Sequence, residues 1–220
     1  MALAHAYPRI GIVGAGIGGL ALAAMLARQT PKGTKISVLE RSHENRDEGY
    51  GLDLDEWGQT VLVKTGMWNR FWDVSRLKSD LWSIYSIKGE NMLVPKWSSR
   101  MEAESNRAGM RHLFMEGIDK YSDTASVQYN HHITDIRRAA SSETGAVELV
   151  AKDGSVVGEY DLVVDACGLH SPLRTHRVID EVGTTSIARG FIKHDIFGIV
   201  YFLTVASRRQ PAAVLDDFMI

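Results

Sequence analysis

Apolar positions along this chain fall into two rhythms, one suited to buried strands and one to helices. Ile10, Ile12 and Val13 form a short apolar run of the kind a buried parallel strand needs, and the run ends in glycines. Ile17, Leu20, Ala21, Ala24 and Leu26 then keep a helical stripe that stops before Pro31 and Gly33, and Lys35 to Leu39 reads as a second strand. A helix is predicted from Glu56, with Val61, Leu62 and Thr65 turned inward and Gly66 as its end. Ser83 to Trp97 alternates around Lys88-Gly89-Glu90-Asn91, the pattern of two strands joined by a tight turn. After Gly109, the positions Met110, Leu113, Phe114, Gly117, Ile118 and Tyr121 recur at helical spacing. Val127 to Tyr129, Ile133 to Arg137 and Val147 to Ala151 read as strands, and Lys152 to Ser155 as a turn into another. Tyr160 to Ala166 is a second strand of the parallel type, while Phe197 to Val205 is either one more strand or an unrelated end.

Composition narrows the classes. At 220 residues the chain can form one large domain, or one domain and part of another. Lys+Arg 25 against Asp+Glu 27 leaves a net charge of −2, so no global field draws nucleic acid or an anionic membrane, and neither partner is expected. The apolar run Ile10 to Ala27 is long enough for a membrane span, but its five glycines and its strand, turn and helix pattern argue against one. One cysteine, Cys167, excludes an internal disulfide and fits a reducing compartment, so a cytoplasmic location is expected. Trp57, Trp68, Trp72, Trp82 and Trp97 crowd the middle third and are expected mostly as packing residues. His131 and His132 are adjacent and cannot face one metal as neighbours on a strand, no other metal-ligand spacing occurs, and no metal site is expected.

The candidate chemistry lies at the ends of the two parallel-type strands. Gly14, Gly16 and Gly19 stand at G-x-G-x-x-G spacing, where the first glycine permits a tight turn, the second a close approach of pyrophosphate, and the third helix-on-strand packing. The following helix points its free N–H groups and positive dipole end at a phosphate. Glu40 lies 21 residues beyond Gly19 at the end of the second strand, where a carboxylate can accept from ribose hydroxyls. This stretch leaves NAD and FAD equally open. The polar run from Arg41 to Tyr50 is either a solvated connection or brings Arg41 or Arg46 to a phosphate or ring of the ligand. Arg111, near the start of its predicted helix, opposes the dipole unless an anion lies close by. The second glycine turn, from Cys167-Gly168 to Arg174, leaves the carboxyl end of a strand, where doubly wound folds place ligands.

With both ends read, the chain resembles the FAD-dependent aromatic-ring monooxygenases, the single-component flavoprotein hydroxylases. Gly14-Ala15-Gly16-Ile17-Gly18-Gly19 is similar to the family's first FAD fingerprint, and Glu40-Arg41 to the Glu-Arg pair that closes it. Asp161-Leu162-Val163-Val164-Asp165-Ala166-Cys167-Gly168-Leu169-His170-Ser171-Pro172-Leu173-Arg174 resembles the second, usually Asp-Leu-Val-Val-Gly-Ala-Asp-Gly-x-x-Ser-x-Val-Arg, and this long match favours FAD over NAD. Glu48 to Leu54 followed by Gly58-Gln59 is similar to the tetracycline-inactivating branch, in which the residues matching Asp53 and Arg111 contact FAD and the one matching Arg46 is associated with the nicotinamide cofactor.

The resemblance covers about residues 8 to 178 and implies an α/β fold: a Rossmann-like FAD-binding domain with a βαβ start, a parallel sheet and a β-meander, beside an incomplete substrate-domain sheet. Residues 1–178 would form the FAD domain, with the hairpin in 74–100 contributing to the substrate-side sheet, and 179–220 a remnant of the substrate domain or a divergent tail. The implied cofactor residues are Gly14, Ala15, Gly16, Ile17, Gly18, Gly19, Glu40, Arg41, Arg46, Asp53, Arg111, Cys167 and Gly168. The implied activity is hydroxylation of a small electron-rich aromatic or enolic substrate with FAD, molecular oxygen and NADPH or NADH as reductant. No side chain is expected to act as a proton-transferring catalyst, because the flavin carries the chemistry.

Two departures from the family stand out. Cys167 replaces the fingerprint's aspartate and Asp165 replaces its glycine, so Cys167 is either a weakened cofactor contact or a small buried residue. The Gly-Asp motif that family members carry after the second fingerprint is absent, so the alternative expectation is a shortened flavin-binding module without its own turnover. A short-chain dehydrogenase is a third class, for which the chain lacks the Tyr-x-x-x-Lys pair.

Overall fold

The computed structural model describes residues 7–44, 51–77, 84–93, 103–139, 146–168 and 171–173, together with short strand segments at 192–193, 200–201 and 204–207. In chain order the first elements are β1 (Arg9–Val13), α1 (Ile17–Gln29), β2 (Lys35–Leu39), β3 (Gly51–Leu54), α2 (Glu56–Thr65) and α3 (Trp68–Phe71). Then come β4 (Ser75–Leu77), β5 (Ile84–Tyr85), β6 (Asn91–Leu93), β7 (Ala103–Asn106) and α4 (Arg107–Asp119). β8 (Ala125–Gln128), β9 (Ile133–Arg138), β10 (Val147–Ala151), β11 (Val156–Tyr160) and β12 (Leu162–Asp165) follow, with β13 (Ile192–Lys193), β14 (Val200–Tyr201) and β15 (Thr204–Ser207) last. The chain divides into two compact units, one from Met1–Arg46 with Phe114–Ile220 and one from Asp47–Leu113.

The first unit is built on a sheet of order β15-β12-β1-β2-β8. β12, β1, β2 and β8 run parallel, and β15 joins β12 antiparallel. Parallel neighbours need crossover connections, and α1 supplies the one from β1 to β2, burying Leu20, Ala23, Ala24 and Leu26. The stretch whose length suggested a membrane span is thus a strand, a turn and a packed helix. Among the described residues no helix is long and apolar enough to cross a membrane. A three-stranded antiparallel meander, β9, β10 and β11, packs Ile133, Ile136, Val147 and Leu149 with Val13, Leu39, Val163 and Leu173 into one core. This α/β architecture, a Rossmann-like βαβ start with a parallel sheet and a meander, is the one the sequence led us to expect.

The second unit has a sheet of order β3-β7-β4 and a separate β5-β6 hairpin. Asp55 caps α2 by accepting from Gly58 N–H (2.9 Å), and Gly66 closes it in the left-handed region at φ 74°. The hairpin turns through Gly89 at the predicted place.

Two sequence expectations need correction, and two others gain detail. Tyr160 to Ala166 is not one strand. β11 ends at Tyr160, whose ring covers Gly11, where a Cβ would sit 2.9 Å away, and Asp161 makes the corner. There Asp161 accepts from Arg9 N–H (2.8 Å) and donates its own N–H to Arg9 O (2.9 Å), so β12 starts only at Leu162. α4 begins at Arg107, before Gly109, because Asn106 caps it by accepting from Gly109 N–H (2.7 Å). Arg111 is therefore its fifth residue, past the first turn, where the dipole acts weakly. Trp57 is 72% exposed on α2, whereas Trp68 and Trp72 pack around buried Phe71 as expected, and Trp82 and Trp97 lie outside the described residues. Of the segment Phe197 to Val205, left open as a strand or an unrelated end, the described residues form β14 and the start of β15, which adds Thr204–Ser207 to the edge of the main sheet.

A Cβ at Gly19 would lie 2.0 Å from Gly14 O and 3.2 Å from Ala166 Cβ, and backbone cannot yield as a flexible side chain can. Gly19→Ala is therefore expected to cost about 1–3 kcal/mol in urea unfolding, the scale of overpacking a tight core. A midpoint unchanged from the parent protein would refute this packing.

Candidate functional site

The site is built where β1, β2 and β12 end side by side. Parallel register pairs Val13 with Leu39 and with Asp165, so the turns that follow these residues leave the sheet at one level. Gly14 has φ 109°, a conformation L residues avoid, and donates its N–H to Leu39 O (2.8 Å). A Cβ on Gly14 would meet Ala166 O at 2.6 Å and Cys167 Cα at 3.2 Å. The two glycine turns therefore abut, backbone on backbone, and Ala166 N–H donating to Val13 O (2.8 Å) fixes the contact. Gly168 has φ 77°, in the left-handed region that favours glycine.

The three fingerprint glycines differ in what demands them. Gly14 and Gly19 are crowded by the protein itself, but a Cβ on Gly16 would find nothing within 4 Å. Gly16 caps α1 with an extended backbone (φ −71°, ψ 177°) and no side-chain hydrogen bond. Leu20 N–H is satisfied by Gly16 O (3.0 Å), whereas the N–H groups of Ile17, Gly18 and Gly19 precede any intrahelical carbonyl. The first turn of α1 carries no acidic residue. Open space beside the backbone at a helix N-terminus is suited to a pyrophosphate, which needs close approach and positive potential.

Glu40 is nearly buried at 8% exposure and is held on both sides. Its Oε2 accepts from Ala15 N–H (2.8 Å), its Oε1 from Ser42 N–H (2.9 Å), and its backbone bonds Gln128 O and His131 N–H, both at 2.8 Å. The carboxylate thus ties the first glycine turn to the end of β2. Arg41 beside it is exposed.

In the second turn, buried Asp165 accepts from Cys167 N–H on Oδ1 (3.0 Å) and from Ser171 Oγ on Oδ2 (2.5 Å). Ser171 Oγ in turn accepts from Leu173 N–H (3.1 Å), and Leu173 is anchored in the core. Cys167 Sγ donates to Val13 O at 3.4 Å and packs against the same core. Burial pushes the thiol well above its ordinary range, and the Asp165 carboxylate adds to this, so Cys167 stays protonated at neutral pH.

The structure thus brings together Gly14, Ala15, Gly16, Ile17, Gly18, Gly19, Glu40, Arg41, Cys167 and Gly168 at the strand ends of the first unit. Asp53, exposed on β3, and Arg111, buried in α4, belong to the second unit, and Arg46 lies outside the described residues. Sequence reasoning treated Asp165 only as a departure and did not single out Ser171. The signal available was the Asp-x-Cys-Gly-x-x-Ser spacing, which lets a strand-end carboxylate reach forward to its own loop.

Residues 12–46 match the family described as an NAD(P)-binding Rossmann-like domain. The chain is 26% identical over 233 residues to the FAD-dependent monooxygenase vrtH of Penicillium aethiopicum, an alignment covering 97% of this chain and 53% of that protein. It thus spans about half the length of that relative. Among solved structures, tetracycline destructase Tet(51) matches at 25% identity with a TM-score of 0.54, over 75% of this chain and 40% of its own. The fold is shared with 2-methyl-3-hydroxypyridine-5-carboxylic acid oxygenase, at 20% identity and a TM-score of 0.62, over 84% of this chain and 44% of that one. In its paired glycine turns and over about half the length of vrtH, the chain is similar to FAD-dependent monooxygenases.

Proposed function

We propose that this chain binds FAD at the paired glycine turns and forms the flavin-binding part of an NAD(P)H-using monooxygenase for a small electron-rich aromatic or enolic substrate. The observation that carries the reading is the open space before Gly16, framed by the α1 N-terminus and the Glu40 carboxylate. Bound flavin would supply the redox chemistry and the activation of oxygen. The protein's part is binding and positioning. The N–H groups of Ile17, Gly18 and Gly19 receive the pyrophosphate, Glu40 accepts from the adenosine ribose while holding Ala15, and the second turn buttresses the first.

In this reading residues 1–178 make the flavin-binding domain, with the β5-β6 hairpin contributing to the substrate-side sheet, and Arg41, Arg46, Asp53 and Arg111 serve the cofactors as the family resemblance implies. Cys167 contributes backbone rather than thiol, since its Sγ is turned to Val13 O. The single cysteine supports a cytoplasmic setting. Half-length coverage of vrtH favours one alternative, a flavin-binding portion without turnover of its own.

The direct test is to purify the protein, supply FAD, record the visible spectrum, and follow NADPH oxidation together with hydrogen peroxide. Bound flavin with NADPH oxidation is expected. Flavin without oxidation would leave the binding portion alone, and nicotinamide binding with no flavin uptake would overturn the FAD assignment.

Gly16→Ala should fold with stability within about 0.5 kcal/mol of the parent, as substitutions that touch nothing do, yet lose flavin retention. Parental flavin content in that variant would remove the pyrophosphate from this turn. Glu40→Ala should weaken FAD binding by about 1.5–3 kcal/mol, the scale of hydrogen bonds to a charged group, as read by flavin fluorescence titration. Because it also frees Ala15 and Ser42 N–H, a fall in the urea midpoint should accompany the weaker binding, and a change in neither would count against the role given to Glu40.

A further inference from the structure

The second glycine turn carries a buried acid in an unexpected place. The family fingerprint puts its aspartate where Cys167 stands and a glycine where Asp165 stands, so the acid in this chain arrives two residues early. It is not idle there. Asp165 is 3% exposed, and its two oxygens take the Cys167 N–H and the Ser171 hydroxyl. Ser171 passes the restraint on to Leu173 N–H, and Leu173 is fully buried. One carboxylate thereby fixes both ends of the loop that contains Gly168.

That loop has little freedom to move without consequence. Ala166 O and Cys167 Cα stand where a Cβ of Gly14 would be, so displacement of the second turn runs directly into the first. Loss of the Asp165 bonds would leave Cys167 N–H and the Ser171 hydroxyl without this acceptor in a buried setting, and such groups recover their bonds by moving toward water.

We infer that Asp165 is a positioning residue for the cofactor site: from the end of β12 it holds Cys167 and Ser171, and with Cys167 the backbone that buttresses Gly14. In this chain the turn's carboxylate stands two residues before Cys167 and bonds the turn itself. The inference rests on the flavin reading for its link to binding, while the ordering of the turn can be measured without flavin.

The test compares Asp165→Ala, Asp165→Asn and Ser171→Ala by FAD titration of the flavin-free protein and by hydrogen exchange at the Cys167 and Leu173 amides. Asp165→Ala should raise the FAD Kd and speed exchange at Cys167 by about tenfold or more, the consequence of losing bonds to a charged group. Asp165→Asn keeps an oxygen for Cys167 N–H and can donate to Ser171 Oγ, so it should restore both readouts to within about threefold of the parent. Ser171→Ala, the variant to use should Asp165→Ala not fold, should speed exchange at Leu173 and weaken FAD severalfold. Asp165→Ala with parental Kd and protected amides would overturn the proposal, as would an Asp165→Asn variant as impaired as Asp165→Ala, which would point to charge rather than position. Accelerated exchange in Asp165→Ala alongside a parent protein that takes up no FAD would uphold the ordering role and refute the flavin reading.

Discussion

The contact on which the strand-end geometry depends is one of backbone against backbone, with Gly14 on one side and Ala166 and Cys167 on the other. Neither turn can be displaced alone, because β1 and β12 are adjacent parallel strands and Val13 stands opposite Asp165. A side chain at position 14 would force the turns apart, and Gly19 would then lose its fit over Gly14 O. The helix start, the first strand end and the second strand end are therefore one packed object. Close-packed interiors respond to small intrusions as a unit, so a single methyl group is felt across all three.

Each half of that object is latched by a carboxylate that folding has already placed. Glu40 reaches from the end of β2 to Ala15, and Asp165 reaches from the end of β12 to its own loop. Both acids are nearly buried, and both accept from backbone N–H or hydroxyl donors. Burying a carboxylate is costly unless donors surround it, so the donors and the acids constrain one another. The consequence is that the shape of both turns is held by bonds within the protein itself.

Much of this was legible in the sequence because the features concerned are local. β1, β2, α2 with its Gly66 end, the β5-β6 hairpin and the meander strands are set by short-range apolar rhythm and by turn residues, and they appear where the pattern puts them. The glycine spacing and Glu40 were legible for the same reason. What the sequence hid depends on partners distant along the chain. The break at Asp161 follows from Arg9, 152 residues away, and the early start of α4 from a side-chain cap that apolar periodicity does not register. Which tryptophan would face solvent, Trp57 as it proves, was not legible from their crowding in the middle third. The antiparallel addition of Thr204–Ser207 to the sheet edge could not be read from a segment whose alternation is weak.

The three glycines show how far a motif can be carried into physics. Spacing treats Gly14, Gly16 and Gly19 alike, but the structure separates them, since two are required by the fold and one is not. A glycine whose missing Cβ would have touched nothing costs conformational entropy and returns no packing. Its place in a tight turn, with an ordinary φ of −71°, gives no backbone reason for it either. What remains is the space itself, bounded by unpaired helix amides, and a bulky anion is the occupant that such a space favours.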